Sequence, residues 1–226
     1  MSEVVERKLV RGYPKLALRL PGVLLCPGCQ HPVAMRLLCE VFEELGIEGK
    51  AIGTYEATCG ALVSILVQVD FVAGPHGRAV DLATAIKRVF RGDVIAFTYQ
   101  GDGDSLAIGI ESTIHAAARG EKITAIMVNN GNYGTTGGQM APTTLIGQKT
   151  TTSPRGRDVK LEGYPFYGPE YMAPMKGVAY SARGALNTPG NCERTKKYIK
   201  RAFQKQIDDV GFSYVEILSA CPPDWH

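Results

Sequence analysis

The chain has 226 residues, 45% of them hydrophobic and 21% charged, with a formal net charge of +3. These are the proportions of a folded globular chain and exclude disorder, and the length suits one large domain with a sizeable core. So small a positive excess gives no footprint for nucleic acid.

No charged n-region with an apolar stretch opens the sequence, and no apolar run reaches membrane-spanning length. The expectation is a cytoplasmic protein with no membrane partner. In a reducing compartment its six cysteines point to metal or redox chemistry rather than structural disulfides.

Residues 1–22 carry mixed charge and two prolines without periodicity, and are expected to form an N-terminal arm ahead of one domain at 23–226. Cys26 and Cys29 follow in C-x-x-C spacing across Pro27 and Gly28, which forces a tight turn. In VAMRLLCEVFEELGI, Val33, Leu37, Val41 and Leu45 recur every fourth position before Gly46, which predicts a helix with a glycine stop. Residues 51–74 read as a strand, a loop around Cys59 and Gly60, and an apolar stretch to Val72. PHGRAVDLATAIKRVFRG reads as a loop opening a helix, with Val80, Ala83, Ile86, Val89 and Phe90 inward.

DVIAFTYQ predicts a strand at 93–100, SLAIGIESTIHAAARG a helix at 105–119, and KITAIMVNN a strand at 123–128. Together they form a β–α–β unit with a right-handed crossover. From Met140 to Pro174 the sequence is rich in Thr, Pro, Gly and Tyr and lacks periodicity, the mark of a functional or interface-forming loop. VAYSARG reads as a strand end. NCERTKKYIKRAFQKQIDDVG reads as an amphipathic helix with Ile199, Phe203 and Ile207 inward, and FSYVEILSA as the last strand. This alternation predicts an α/β fold with a mostly parallel sheet and helices on both faces.

Chemistry gathers at the strand ends. GDGD alone reads more readily as a strand-to-helix turn in which Asp104 or Ser105 caps the helix. Asn130, however, stands twenty-eight residues after Asp102, and a helix, a strand and two turns fill that gap. Both residues therefore reach the same sheet edge, where open α/β sheets bind ligands. A carboxylate and an amide oxygen are hard donors that suit Mg²⁺ against a diphosphate, and the glycines let backbone N–H groups approach phosphate. Asn129 is either a further amide ligand or a turn residue.

His76 and Arg78 precede a helix, either as cap and surface charge or as site residues. His31 lies beside the cysteine pair; His115, within a helix, reads as structural. Cys26, Cys29, Cys59 and Cys221 suit a 4Fe–4S cluster, with zinc, or one pair plus buried thiols, as alternatives. Cys39 and Cys192 read as packing residues.

GDG, this gap and then NN resemble thiamine diphosphate enzymes. The ordered set CPGC, TCG, HGRA, TYQGDGD, VNN, YG-TTGGQMAPTT and LSACP is similar to the β subunit of 2-oxoacid:ferredoxin oxidoreductases, most of all to the type acting on branched-chain 2-oxoacids or 2-oxoglutarate. The similarity runs from about residue 24 to 225. It implies the thiamine-diphosphate-binding fold, with Mg²⁺ held by Asp102, the Asn130 side chain and the main-chain oxygen of Asn132. Thr58, Cys59, His76, Gly101, Gly103 and Asp104 would line the cofactor pocket with these three. Tyr133, Gly134, Thr135 and Thr136 would complete it, and His76 would act at the cofactor or substrate carboxylate. Cys26, Cys29, Cys59 and Cys221 would ligate the cluster.

The implied reaction is oxidative decarboxylation of a 2-oxoacid to acyl-CoA and CO₂, with electrons passing through the cluster to ferredoxin. The implied partners are an α subunit carrying the pyrimidine-binding domain, a γ subunit and a ferredoxin-like δ subunit. Five positions depart from the family pattern: Gln30 stands for Gly, Thr58 and Gly60 around Cys59 make Thr-Cys-Gly of Gly-Cys-Ser, Asn132 stands for an aliphatic residue and Ala220 for Pro. A non-redox thiamine decarboxylase or carboligase and a zinc-stabilised interaction module are the rival readings.

Overall fold

A computed structural model describes residues 12–17, 24–90 and 93–225. Most of the expected N-terminal arm (1–11 and 18–22) lies outside the described residues. Helix α1 (His31–Leu45) carries Pro32 in its first turn and stops at Gly46, which takes a left-handed φ of 63°. Strand β1 (Ala51–Tyr55) leads through a 3₁₀ turn (Cys59–Ile65) to the edge strand β2 (Asp70–Ala73) and helix α2 (Ala79–Val89). Strand β3 (Ile95–Gly101) passes into a π-helical turn (Asp104–Ile108), then α3 (Ile110–Arg119) and β4 (Thr124–Asn129).

The long loop that follows holds the strands β5 (Asn132–Tyr133) and β6 (Gln139–Met140) around a 3₁₀ turn (Gly134–Thr136). It also holds the short helices α4 (Val159–Glu162) and α5 (Gly168–Met172). Strand β7 (Val178–Ala185), helix α6 (Pro189–Ile207) and strand β8 (Phe212–Leu218) close the domain.

Six strands form one sheet in the order β2-β1-β3-β4-β8-β7, and every pairing in it is parallel. Strand periodicity divides the core between its two faces. Phe97, Tyr99, Ile126, Val128, Val215 and Ile217 pack with α1, α6 and the first 3₁₀ turn, where Phe42, Phe97 and Phe203 meet edge to face. Ala96, Ala125, Met127 and Tyr214 point the other way, toward α2, α3 and α5. Helices thus cover both faces. The six-membered aromatic and aliphatic layer on the α1/α6 side is bulky, while the alanines on the other let α2 and α3 lie close.

Three features differ from the expected elements. The buried stripe of α1 runs through Ala34, Leu37, Leu38, Val41 and Phe42, so Val33 is exposed and Leu45 only half-buried. Val89, Phe90 and Ile207 are exposed; each stands at the carboxyl end of its helix. The helix expected over 105–119 is broken at Gly109, whose N–H donates to the Asp104 carbonyl (2.7 Å) to close the π-turn.

Helices α1 and α6 are joined through Lys196, whose buried ammonium sits 2.6 Å from both Glu40 and Glu44. Burial alone would raise the Glu40 pKa, but hydrogen bonds and charge from Lys196 and Arg36 outweigh it and hold the carboxyl below its ordinary value. Glu44 is lowered chiefly by its hydrogen bond to Lys196. Stability from this pair is present above the ordinary glutamate pKa of about 4.3 and is lost as the pH falls through the lower folded values. Lys196→Met is expected to cost roughly 2–3 kcal/mol at pH 7 and much less near pH 3, read from urea midpoints at the two pH values.

Candidate active site

From β1 the chain turns outward to β2, and from β3 it runs the other way to β4. The carboxyl ends of β1 and β3 therefore flank the switch point of the sheet, the usual ligand crevice of an open α/β fold. Into it project the segment after β1 (Thr58, Cys59), the loop before α2 (His76), the turn after β3 (Gly101 to Asp104) and the loop after β4 (Asn130 to Thr136). Every residue expected at the cofactor lines this one pocket, with His31, Ala57 and Val128 added.

Asp102 is buried, and its Oδ2 accepts hydrogen bonds from the Gly131 N–H (3.1 Å) and the Thr143 hydroxyl. Burial pushes its pKa up to about 6 against these hydrogen bonds. Asp104 does not cap the helix. Its Oδ2 accepts the Gly101 N–H (2.8 Å), folding the turn back on itself, and its Oδ1 meets His76 Nδ1 at 2.5 Å. Burial, then the neighbouring charge of Glu56, raises Asp104 to about 8. Glu56 itself accepts the N–H groups of Gly77 and Ala79 and the Gln100 side chain, so it clamps the His76 loop against β3.

The same loop touches the π-turn: a Cβ on Gly77, whose φ is +79°, would meet Ile108 at 2.6 Å. At Gly103 a Cβ would lie 2.0 Å from the Tyr133 ring, so only glycine lets these loops close over one another. Arg78 leaves the pocket for α3, where it binds Ser112 (2.9 Å) and Glu111 (2.7 Å).

The two asparagines differ in role. Asn129 turns away, donating to Glu216 (2.5 Å) and accepting the Gly131 N–H (2.9 Å), so it shapes the strand end rather than the pocket. Asn130 faces the pocket; its Oδ1 accepts the Asn132 N–H (3.2 Å) and its carbonyl accepts Trp225 Nε1 (2.6 Å). Asn132 is buried with neither Nδ2 nor Oδ1 partnered. Buried amides are almost always satisfied, which makes this one an exception.

A second pocket adjoins the first and is lined by Cys26, Cys29, Cys59 and Cys221. His31, Cys59, Asn130 and Gly134 line both. Cys29 N–H donates to the Cys26 carbonyl (3.0 Å) in the tight turn that Pro27 and Gly28 impose. Gln30 reaches across to accept the Ala220 N–H (2.9 Å), tying that turn to the segment bearing Cys221. His31 Nδ1 pairs with Tyr99 OH at 3.0 Å, and burial pushes the imidazole down to about 4, so it is neutral at physiological pH.

The Cys221 thiol donates to Asp224 (3.1 Å), and burial together with that carboxylate raises it to about 12. Holding a metal there requires the thiol to surrender this proton and the Asp224 contact. Cys39 and Cys192 stand apart, against Met35 and the Leu186 carbonyl. His115 lies on the exposed side of α3. Glu56 and Thr143 were not legible as site residues: Glu56 is one acid after an apolar strand, and Thr143 meets Asp102 from forty-one positions away.

Known proteins resemble this chain in sequence and fold. The family model for the thiamine pyrophosphate enzyme C-terminal TPP-binding domain matches residues 52–217. The ketoisovalerate oxidoreductase subunit VorA of Methanothermobacter thermautotrophicus is 41% identical over 197 residues, covering 87% of this chain and 41% of its own length. The 2-oxoglutarate synthase subunit KorB of Methanocaldococcus jannaschii is 35% identical, covering 90% of this chain and 71% of its own length.

Among solved structures, the 2-oxoglutarate:ferredoxin oxidoreductase from Magnetococcus marinus, with 2-oxoglutarate, coenzyme A and succinyl-CoA bound, superposes with a TM-score of 0.79 at 26% identity. It covers 99% of this chain and 72% of that one. The chain thus spans less than half of the VorA subunit and about seven-tenths of the KorB subunit. With the family's binding domain matched over residues 52–217 and the strand-end residues gathered in one pocket, the chain belongs to the thiamine pyrophosphate enzymes, in the family that includes the KorB-type 2-oxoacid oxidoreductase subunits.

Proposed function

We propose that this chain works in the oxidative decarboxylation of a 2-oxoacid to acyl-CoA and CO₂, passing electrons through a 4Fe–4S cluster to ferredoxin. The observation that carries the reading is the shared wall: a carboxylate–amide pocket and a four-cysteine pocket meet at His31, Cys59, Asn130 and Gly134. A non-redox thiamine enzyme has no use for four thiols placed there.

The donor set fits the groups. Asp102, the Asn130 side chain and the Asn132 carbonyl would hold Mg²⁺ against the diphosphate, all through hard oxygens. Cys26, Cys29, Cys59 and Cys221 would hold the cluster. Thiamine diphosphate, when bound, supplies the carbanion chemistry for decarboxylation, and the cluster supplies a one-electron exit.

This chain's own residues bind and orient. Asp104 Oδ1 stands beside His76 Nδ1, which leaves Nε2 for the cofactor or the substrate carboxylate. Glu56 holds the loop that carries His76. Tyr133 closes over Gly103 in the pocket that Asp102 lines.

The relatives' names call them subunits, which supports partner chains; the partners proposed are an α subunit bearing the pyrimidine-binding domain, a γ subunit and a ferredoxin-like δ subunit. The loop at 140–174 exposes Leu145, Ile146, Leu161, Tyr164, Tyr167 and Tyr171 and is the surface proposed for such a contact. No described helix is long and apolar enough to cross a membrane.

The test is viologen or ferredoxin reduction by the co-expressed complex against pyruvate, 2-oxoglutarate, branched-chain and aryl 2-oxoacids, each with coenzyme A. Coenzyme A-dependent reduction with one of them is expected. Turnover without electron transfer would replace this reading by a decarboxylase, and stoichiometric zinc without iron by an interaction module.

Asn132→Leu separates the amide from its main-chain neighbour. Removing an unpartnered buried amide is expected to stabilise the ligand-free chain by about 1 kcal/mol. Thiamine diphosphate affinity in Mg²⁺ should drop several-fold by calorimetry. Unchanged affinity would mean that the amide meets no bound group.

A further inference from the structure

Cys59 and Thr135 bring the two pockets into direct contact. Cys59 opens the 3₁₀ turn after β1, and Thr135 sits in the 3₁₀ turn between β5 and β6, seventy-six residues further on. Cys59 Sγ and Thr135 Oγ1 lie 2.9 Å apart. While Cys59 is a thiol, either atom is able to donate. A metal-bound thiolate carries no proton, so with a metal in place the hydroxyl is the donor and the sulfur the acceptor.

The neighbouring Thr136 hydroxyl is committed elsewhere, to Gln139 (2.6 Å) and the Tyr133 carbonyl (3.3 Å). Thr135 also lines the cofactor pocket, in the loop that begins with Asn130. One hydroxyl therefore connects the diphosphate loop to a thiol of the four-cysteine site.

We propose that Thr135 donates an O–H···S hydrogen bond to Cys59 as a cluster ligand and thereby raises the reduction potential of the cluster. A donor on a ligating sulfur draws electron density from it and stabilises the more negative, reduced state. The inference rests on the cluster assigned above and adds the residue that tunes it. Thr135 acts through Cys59 and is a positioning and tuning residue rather than a catalytic one.

The experiment compares the parent chain with Thr135→Val and Thr135→Ser after anaerobic reconstitution with iron and sulfide. Iron and sulfide content and visible absorption report the cluster, and an EPR-monitored redox titration reports its midpoint. Thr135→Val, nearly isosteric but without the hydroxyl, is expected to keep full iron content and shift the midpoint to a more negative potential. Thr135→Ser should restore the parent value.

An unshifted midpoint in a fully loaded Thr135→Val chain overturns the proposal. Loss of iron in Thr135→Val alone also overturns it, by giving the hydroxyl a merely structural part. A parent chain that takes up no cluster, alone or co-expressed with its partner subunits, removes the functional reading itself, and the tuning role falls with it.

Discussion

Asp102→Asn abolishes Mg²⁺-dependent binding of thiamine diphosphate while leaving the fold and the cysteine site intact. The amide keeps the shape of the carboxylate, and its oxygen still accepts the Gly131 N–H and the Thr143 hydroxyl. What it removes is the negative charge that a hard divalent cation requires among its oxygen ligands. Affinity measured by calorimetry in Mg²⁺ should fall at least about 100-fold, or roughly 2.7 kcal/mol. The ligand-free variant should be no less stable than the parent, since a buried carboxylate without a counter-ion gives way to a neutral group. Iron content after reconstitution should not change. A variant that loses iron yet binds the cofactor would reverse the assignment of the two pockets.

The sequence locates Asp102 and Asn130 because a β–α–β unit converts spacing into position. Strand ends joined by one helix must emerge on the same edge, so two short motifs twenty-eight residues apart suffice. The turn at Cys26 and Cys29 is legible for a similar local reason, since proline and glycine leave the backbone few alternatives. The supports of these residues are another matter. Glu56 looks unremarkable in the sequence, and only the pairing of β1 with β3 sets it under the His76 loop and beside Asp104.

Gln30 departs from the family's glycine, and nothing local announces that it would span 190 positions to Ala220. The exposed ends at Val89, Phe90 and Ile207 show the limit of periodicity: it gives the direction of a face but not how far along the helix that face is covered. The π-turn is likewise hidden, because Gly109 in a helical pattern reads as a mild penalty rather than a change in hydrogen-bond step.

The long loop offers the largest expected effect on stability. Arg157 is buried, and its guanidinium donates to the carbonyls of Gly163 (2.9 Å), Pro142 (2.8 Å), Thr144 (2.7 Å), Glu162 (3.2 Å) and Tyr164 (2.9 Å). Its own backbone joins Gln148 and Gly147 (3.0 Å each). An irregular loop has no ladder to satisfy its carbonyls, and here one planar fork with five donors stands in for that ladder.

Arg157→Met removes the partner of all these carbonyls at once and leaves the Thr144 carbonyl unsatisfied in a buried place. The expected cost is roughly 3–5 kcal/mol, or about 10 °C in Tm. Arg157→Lys recovers little of it, because three donors on a flexible stem do not reproduce the fork.

The effect should extend into the pocket. Thr143 lies between two of the bridged carbonyls and reaches Asp102, while Thr144 Oγ1 donates to the Gly131 carbonyl (2.6 Å). Loosening the loop therefore frees Asp102 and the Asn130–Asn132 turn together. Hydrogen exchange should quicken first over residues 141–164, and affinity for thiamine diphosphate in Mg²⁺ should drop with it. If affinity holds while exchange rises, the loop supports the fold alone and the path from Arg157 through Thr143 to Asp102 carries no coupling.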